Sequence, residues 1–187
     1  MAKVNGIKKR LIEHNIDENT IKEVIGNGDL VDIIERMEKL LDHEIVYQIL
    51  DSSACATSQK ELNGIKKIEG NSLQEKIEQI PCLEDFHSDW NVNLNSDNTI
   101  TARWVIKDKD NYACVCPCTV NKKLKVNSLP NENRTMPLTY CFCCAGHCRR
   151  HLERLLDLQL KTKEIVSSPI NSKGEMPCEF IFERLSN

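Results

Sequence analysis

Apolar residues in the first eighty positions recur at the three-and-four spacing of a helix face, whereas those after position 88 alternate singly, as on a strand. Asp17 is placed to cap a short helix carrying Ile21, Val24 and Ile25. The Gly26-Asn27-Gly28 turn ends that helix, because glycine tolerates the left-handed backbone found beyond a helix terminus. Asp29 caps a stronger helix whose Leu30, Ile33, Ile34, Met37, Leu40 and Leu41 gather on one face, and the pattern resumes at Ile45, Val46, Ile49 and Leu50 after Asp42. Ser72 with Glu75 forms the S-x-x-E capping pattern ahead of Ile77 and Ile80, and Pro81 stops the helix that follows.

Only Tyr47 among the nine aromatics precedes Phe86. Trp90, Val92 and Leu94 alternate with Asn91 and Asn93, residues 95–98 supply a turn, and Ile100, Ala102, Trp104 and Ile106 alternate again, which predicts a β-hairpin. A third strand is expected over 112–120, a polar loop over 121–137, a strong helix over about 144–158, and a closing hairpin from 161–166 and 178–183. The order is helices, then roughly βββαββ, an α+β fold. The change of period divides the chain into a helical region, 1–82, and a mixed region, 83–187.

At 187 residues the chain is large enough to bury about 70% of its unfolded surface without staples, and too small for a barrel enzyme of ordinary size. Thirteen glycines and prolines and 40% hydrophobic residues argue against collagen, low complexity and global disorder. The basic opening segment lacks an apolar run behind it, and nowhere do eighteen apolar residues run together, so a cytoplasmic, non-membrane protein is expected. In that compartment ten cysteines point to metal ligands, redox groups or small core residues before a disulfide framework.

Their placement is uneven. Cys114, Cys116, Cys118, Cys141, Cys143, Cys144 and Cys148 fall within 35 residues, while Cys55, Cys82 and Cys178 stand apart. Residues 119–163 hold nine Lys/Arg against three Asp/Glu, a local charge of +6 that leaves −9 for the rest of a chain of net charge −3. Alternate residues on a strand share a face, so Cys116 and Cys118 project together. If 138–143 is extended as it enters the helix, Cys141 and Cys143 do the same. Two C-x-C arms separated by 22 residues would then supply four thiolates, a tetrahedral zinc set, with the nearby cations lowering thiol pKa values and offsetting the charge. An iron–sulfur cluster takes the same ligands, but the ferredoxin spacing is absent.

Other readings of the same residues stay open. If the helix begins near Cys141, then Cys141, Cys144, Ala145, Cys148, Leu152, Leu155 and Leu156 form one apolar stripe and the thiols are core residues. His147 and His151, at i and i+4, flank that stripe; the spacing can bind zinc, although an H-E-x-x-H sequence is missing. From another class comes a cysteine-dependent hydrolase or thiol-redox enzyme, with Cys143 or Cys144 as nucleophile and His147 as base. Lys122, Lys123, Lys125, Arg134, Arg149, Arg150 and Arg154 form a basic cluster. Nucleic-acid binding is nevertheless not expected, since such clusters are ordinarily solvated faces and the chain is mildly acidic.

Residues 114–182 carry C-V-C-P-C, then Y-C-F-C-C-A-G-H-C-R-R-H-L-E at 140–153, K-E-I-V-S-S at 163–168 and G-E-M-P-C-E-F at 174–180. In these motifs the stretch resembles a group of cysteine-rich bacterial and archaeal proteins, many from anaerobes. Its ending is similar to the 4-vinyl reductase type of small-molecule-binding domain and to the L-2-amino-thiazoline-4-carboxylic acid hydrolase family. The resemblance covers somewhat under half of the chain. It implies a metal-binding or small-molecule-binding α+β domain, with the N-terminal helices as a cover or homodimer element. Enzymatic activity does not carry over, because no catalytic residue of the hydrolase family matches a position here. The expectation is a non-catalytic zinc protein using Cys116, Cys118, Cys141 and Cys143 beside a small-molecule pocket.

Overall fold

Asp17, Asp29 and Asp42 open three successive helices by one device: each side chain accepts from the first backbone N–H groups that follow it. In the computed structural model, which describes residues 2–53, 59–83, 89–114 and 136–185, these are α2 (Glu18–Ile25), α3 (Leu30–Leu40) and α4 (His43–Ser52). Their apolar faces are buried through Ile21, Val24, Ile33, Ile34, Met37, Val46, Ile49 and Leu50. Between α2 and α3, Gly26 takes a φ of 47°, and the Arg36 guanidinium donates to the Val24 carbonyl so close by that a Cβ at position 26 would strike it.

Two helices were not expected. α1 (Ala2–Glu13) packs against α2 and α4 and buries Ile7 and Leu11 completely, and α5 (Gln59–Gly64) lies against the long helix of the second half. α6 (Leu73–Gln79) starts at Ser72, whose Oγ accepts from the Glu75 N–H at 3.2 Å. The Glu75 carboxylate reaches back to the Asn71 N–H at 2.8 Å, one residue earlier than the usual box. Pro81 falls in a short 3₁₀ turn, Ile80–Cys82, that closes the segment.

The sheet is antiparallel in the order β1–β2–β6–β5, from β1 (Trp90–Leu94), β2 (Ile100–Trp104), β5 (Leu160–Ser167) and β6 (Cys178–Arg184). Both expected hairpins form, and the two join through β2 and β6. The register stacks Trp90, Trp104 and Cys178 in one row, then Val92, Ala102 and Phe180, then Leu94, Ile100 and Phe182. That face is buried, whereas the other carries Asn91, Asn93 and an Arg103–Glu179 ion pair to solvent, the polar and apolar alternation of a one-sided sheet. The third strand shrinks to a two-residue ribbon, β3 (Lys107–Asp108) with β4 (Asn111–Tyr112); residues 115–120 and all but the last two residues of the loop expected over 121–137 lie outside the described residues.

α7 (Phe142–Leu156) packs between α4 and the sheet strand β5. It ends at Asp157 in the left-handed conformation, φ 56°, with the Asp157 N–H on the Glu153 carbonyl. One apolar core runs without a break from Ile7 of α1 to Phe182 of β6. The fold is α+β, with helices first. Among the described residues no helix is long and apolar enough to cross a membrane.

Candidate functional site

The start of α7 overturns one expectation. Residues 138–143 are not extended: Leu138–Cys141 is a 3₁₀ turn after Pro137, and Phe142 begins the α-helix. The cause is packing of Phe142, whose ring meets Tyr47 edge-on at 5.1 Å and His43 at 5.9 Å, both on α4, and so draws the chain into helical phase there. At about 100° per residue, positions 141 and 143 then point to nearly opposite sides, whereas 141, 144 and 148 share one.

Partners confirm the two sides. Facing α4, the Cys143 thiol donates to the Ser53 carbonyl at 3.6 Å. One turn later Gly146 touches Asp51 so closely that an added Cβ would lie 2.7 Å from its carboxylate oxygen. Arg149 follows, donating to Asp51 at 2.9 Å and to Glu153 at 2.7 Å; Glu153 in turn accepts from the Leu160 N–H. Burial alone would disfavour the guanidinium charge, but these two carboxylates outweigh it and hold the Arg149 pKa above its ordinary value. Gly146 is therefore the residue that lets α7 approach α4, and Arg149 clasps the contact.

Facing the sheet are Cys141, Cys144, Cys148 and His151, all buried, with half-buried His147 beside them. Cys148 has no exposed surface, and burial pushes its thiol well above the usual range, so it is neutral at neutral pH. The imidazoles of His147 and His151 lie 4.5 Å apart between ring centres. Trp104 meets His147 and Trp90 meets His151, each at 6.0 Å, and the two tryptophans lie 5.4 Å apart. Cys178 is level with Trp104 on β6, and Cys114, just past β4, is also buried. The stripe expected of a helix beginning near Cys141 is buried along its length.

Of the four thiols expected to ligate, Cys141 and Cys143 sit at the start of α7 on different sides, and Cys116 and Cys118 lie outside the described residues, as do Lys122, Lys123, Lys125 and Arg134. Among the described residues no group of three or more His, Cys, Asp or Glu is arranged to hold a metal ion. The rest of the expected basic cluster is partly engaged internally, through Arg149. Two surface grooves, of about 410 Å³ at Asp97, Thr99, Lys163 and Arg184 and of about 790 Å³ at Lys67, Arg149, Glu153 and Arg154, touch no cysteine.

Trp90, Trp104, Asp51 and Ser53 escaped the sequence reading as neighbours of this region. The two tryptophans left a signal, since alternation put both on the buried face of one hairpin, but what that face meets is decided fifty residues later. Comparison with known proteins gives no match: no family model fits the chain, and no curated protein or solved structure matches it.

Proposed function

We propose that the chain is a non-catalytic zinc-binding protein, its ion held by thiols at the start of α7 together with Cys116 and Cys118, next to a small-molecule-binding part of the α+β domain. The observation that supports this most is the make-up of the sheet-facing side of α7, where four side chains of metal-ligating type, Cys141, Cys144, Cys148 and His151, are buried together. A helical start also improves the fit of the ligands. Cys141 and Cys144 form a C-x2-C pair one turn apart, the within-arm spacing common in structural zinc sites, where the extended reading had offered only C-x-C. The other arm is Cys116 and Cys118, reached within about 14 Å of chain from buried Cys114. Cys144 then takes the fourth place, and Cys143, engaged with Ser53, is its alternative.

Zinc in such a closed site is structural: it would tie the chain after β4 to α7 and contribute directly to folding stability. The compartment is the reducing cytoplasm, in which thiolates stay available to an ion. Protein purified without added metal is expected to carry about one equivalent of zinc, lost in Cys141→Ser and in Cys144→Ser and kept in Cys143→Ser. Less than about a tenth of an equivalent of any transition metal in the wild type contradicts the reading. Loss in Cys143→Ser alone would move the fourth ligand back to Cys143.

A further inference from the structure

We propose that His147 and His151 form a second and open metal site, an imidazole pair that takes one divalent transition-metal ion of the zinc, cobalt or nickel class. It uses none of the four thiols assigned above. Four residues apart on α7, the two rings stand one above the other with centres 4.5 Å apart and planes inclined by 47°. Two imidazoles on one ion, with bonds of about 2.1 Å and bond angles between a right angle and the tetrahedral value, place their ring centres roughly 4.6–5.3 Å apart. The observed separation falls just short of that range, so a small turn of the side chains brings both rings onto one ion.

The surroundings favour occupation. His151 is 2% exposed and His147 is half-buried, so the pair can be approached from one side only. Trp104 and Trp90 pack edge-on against the two rings and restrict their rotation, which lowers the entropy lost when an ion fixes them. A second, independent observation concerns Trp104. Its indole N–H is buried with no acceptor among the described residues, although it belongs to a ring in contact with His147. A buried donor left unsatisfied costs about 1–3 kcal/mol. An oxygen ligand on the ion's open positions would bring an acceptor to this neighbourhood.

Imidazole suits zinc, cobalt and nickel, and a pair of neutral nitrogens leaves at least two coordination positions to water or to an incoming ligand with an oxygen donor. The thiolate site would be closed and structural, and this one open and exchangeable.

Cobalt(II) titrated into the full-length protein, purified with its thiolate site as isolated, is the probe. One equivalent is expected to bind without a sulfur-to-cobalt charge-transfer band and to broaden the imidazole proton signals of His147 and His151 but not those of His14 and His43. His147→Gln, at the half-buried position, is expected to weaken binding by about tenfold or more. Affinity within about twofold of wild type in His147→Gln overturns the proposal. So does saturation that leaves both imidazoles unperturbed, or a sulfur-to-cobalt charge-transfer band that grows in with binding. Should His147→Gln melt early, the imidazole broadening in the wild-type protein decides alone.

Discussion

The two ends of α7 are both buried, with different chemistry. Its last two turns set Leu152, Leu155 and Leu156 into the core between α4 and the sheet, as any amphipathic helix does. Its first two turns, with Cys141 just before them, fill the equivalent places with Cys144 and Cys148 and set His147 edge-on against Trp104, and His151 follows in the third turn. A thiol buries less apolar surface than a leucine, and an imidazole needs partners that an aliphatic chain does not. The helix is thus a packing element at one end and a donor-bearing element at the other, joined by the Gly146–Asp51 contact and the Arg149 clasp.

Stability measurements separate the two ends most strongly. Leu155→Ala, at a site 2% exposed, is expected to cost about 2–5 kcal/mol in denaturant unfolding, by the same amount with and without a chelator. Cys144→Ala is expected to be costly only before metal is removed, because chelation takes from the wild type what the substitution takes from the variant. Equal chelator-independent losses at both positions would mean that the start of α7 is ordinary core.

Thiol reactivity sharpens the contrast at its donor end. Among the described thiols, exposed Cys82 is expected to be alkylated first at neutral pH, and Cys148, buried and held neutral, only as the protein opens. Mass-spectrometric mapping of timed labelling checks this. A thiol of α7 that labels faster than Cys82 would instead support the enzyme reading with an activated nucleophile.

The smallest effect lies just beyond the packing end, where Lys67 and Asp157 pair at 2.5 Å across exposed surface. The hydrogen bond from Lys67 holds the Asp157 carboxyl below its ordinary range, and the same bond raises Lys67. The contribution of Asp157 is therefore present above the ordinary carboxylate pKa and lost as pH falls through the depressed value. That of Lys67 is present below the ordinary lysine pKa and lost as pH rises through the raised one. Lys67→Met should lower the melting temperature slightly at neutral pH, with the gap closing in acid. A gap that persists in acid would assign the loss to the lysine stem.

Where the sequence was legible, a local signal sufficed. Asp17, Asp29 and Asp42 announce their helices because a cap needs only the next three residues, and the hairpin from Trp90 to Trp104 follows from strict alternation on either side of a polar turn. α1 is hard to read because Ile7 and Leu11, its two fully buried residues, are separated by Lys8, Lys9 and Arg10, so that a single four-residue step marks the buried face. The start of α7 was misread for a different reason. A C-x-C pair lies on one side of a strand and on opposite sides of a helix, and what settles the backbone is Phe142 packing against Tyr47 and His43, a hundred residues away in sequence. The Trp–His stack could not be read at all, since both of its halves are local patterns but their meeting is set by the order of elements in the sheet.

An anomalous-difference map at the zinc absorption edge, from crystals grown without added metal, bears most directly on the donor-bearing end of α7. The account predicts a peak at about 2.3 Å from the Cys141 sulfur, with further sulfurs around it at bonding distance. Thiols in plain van der Waals contact there, with no anomalous peak among them, would contradict it.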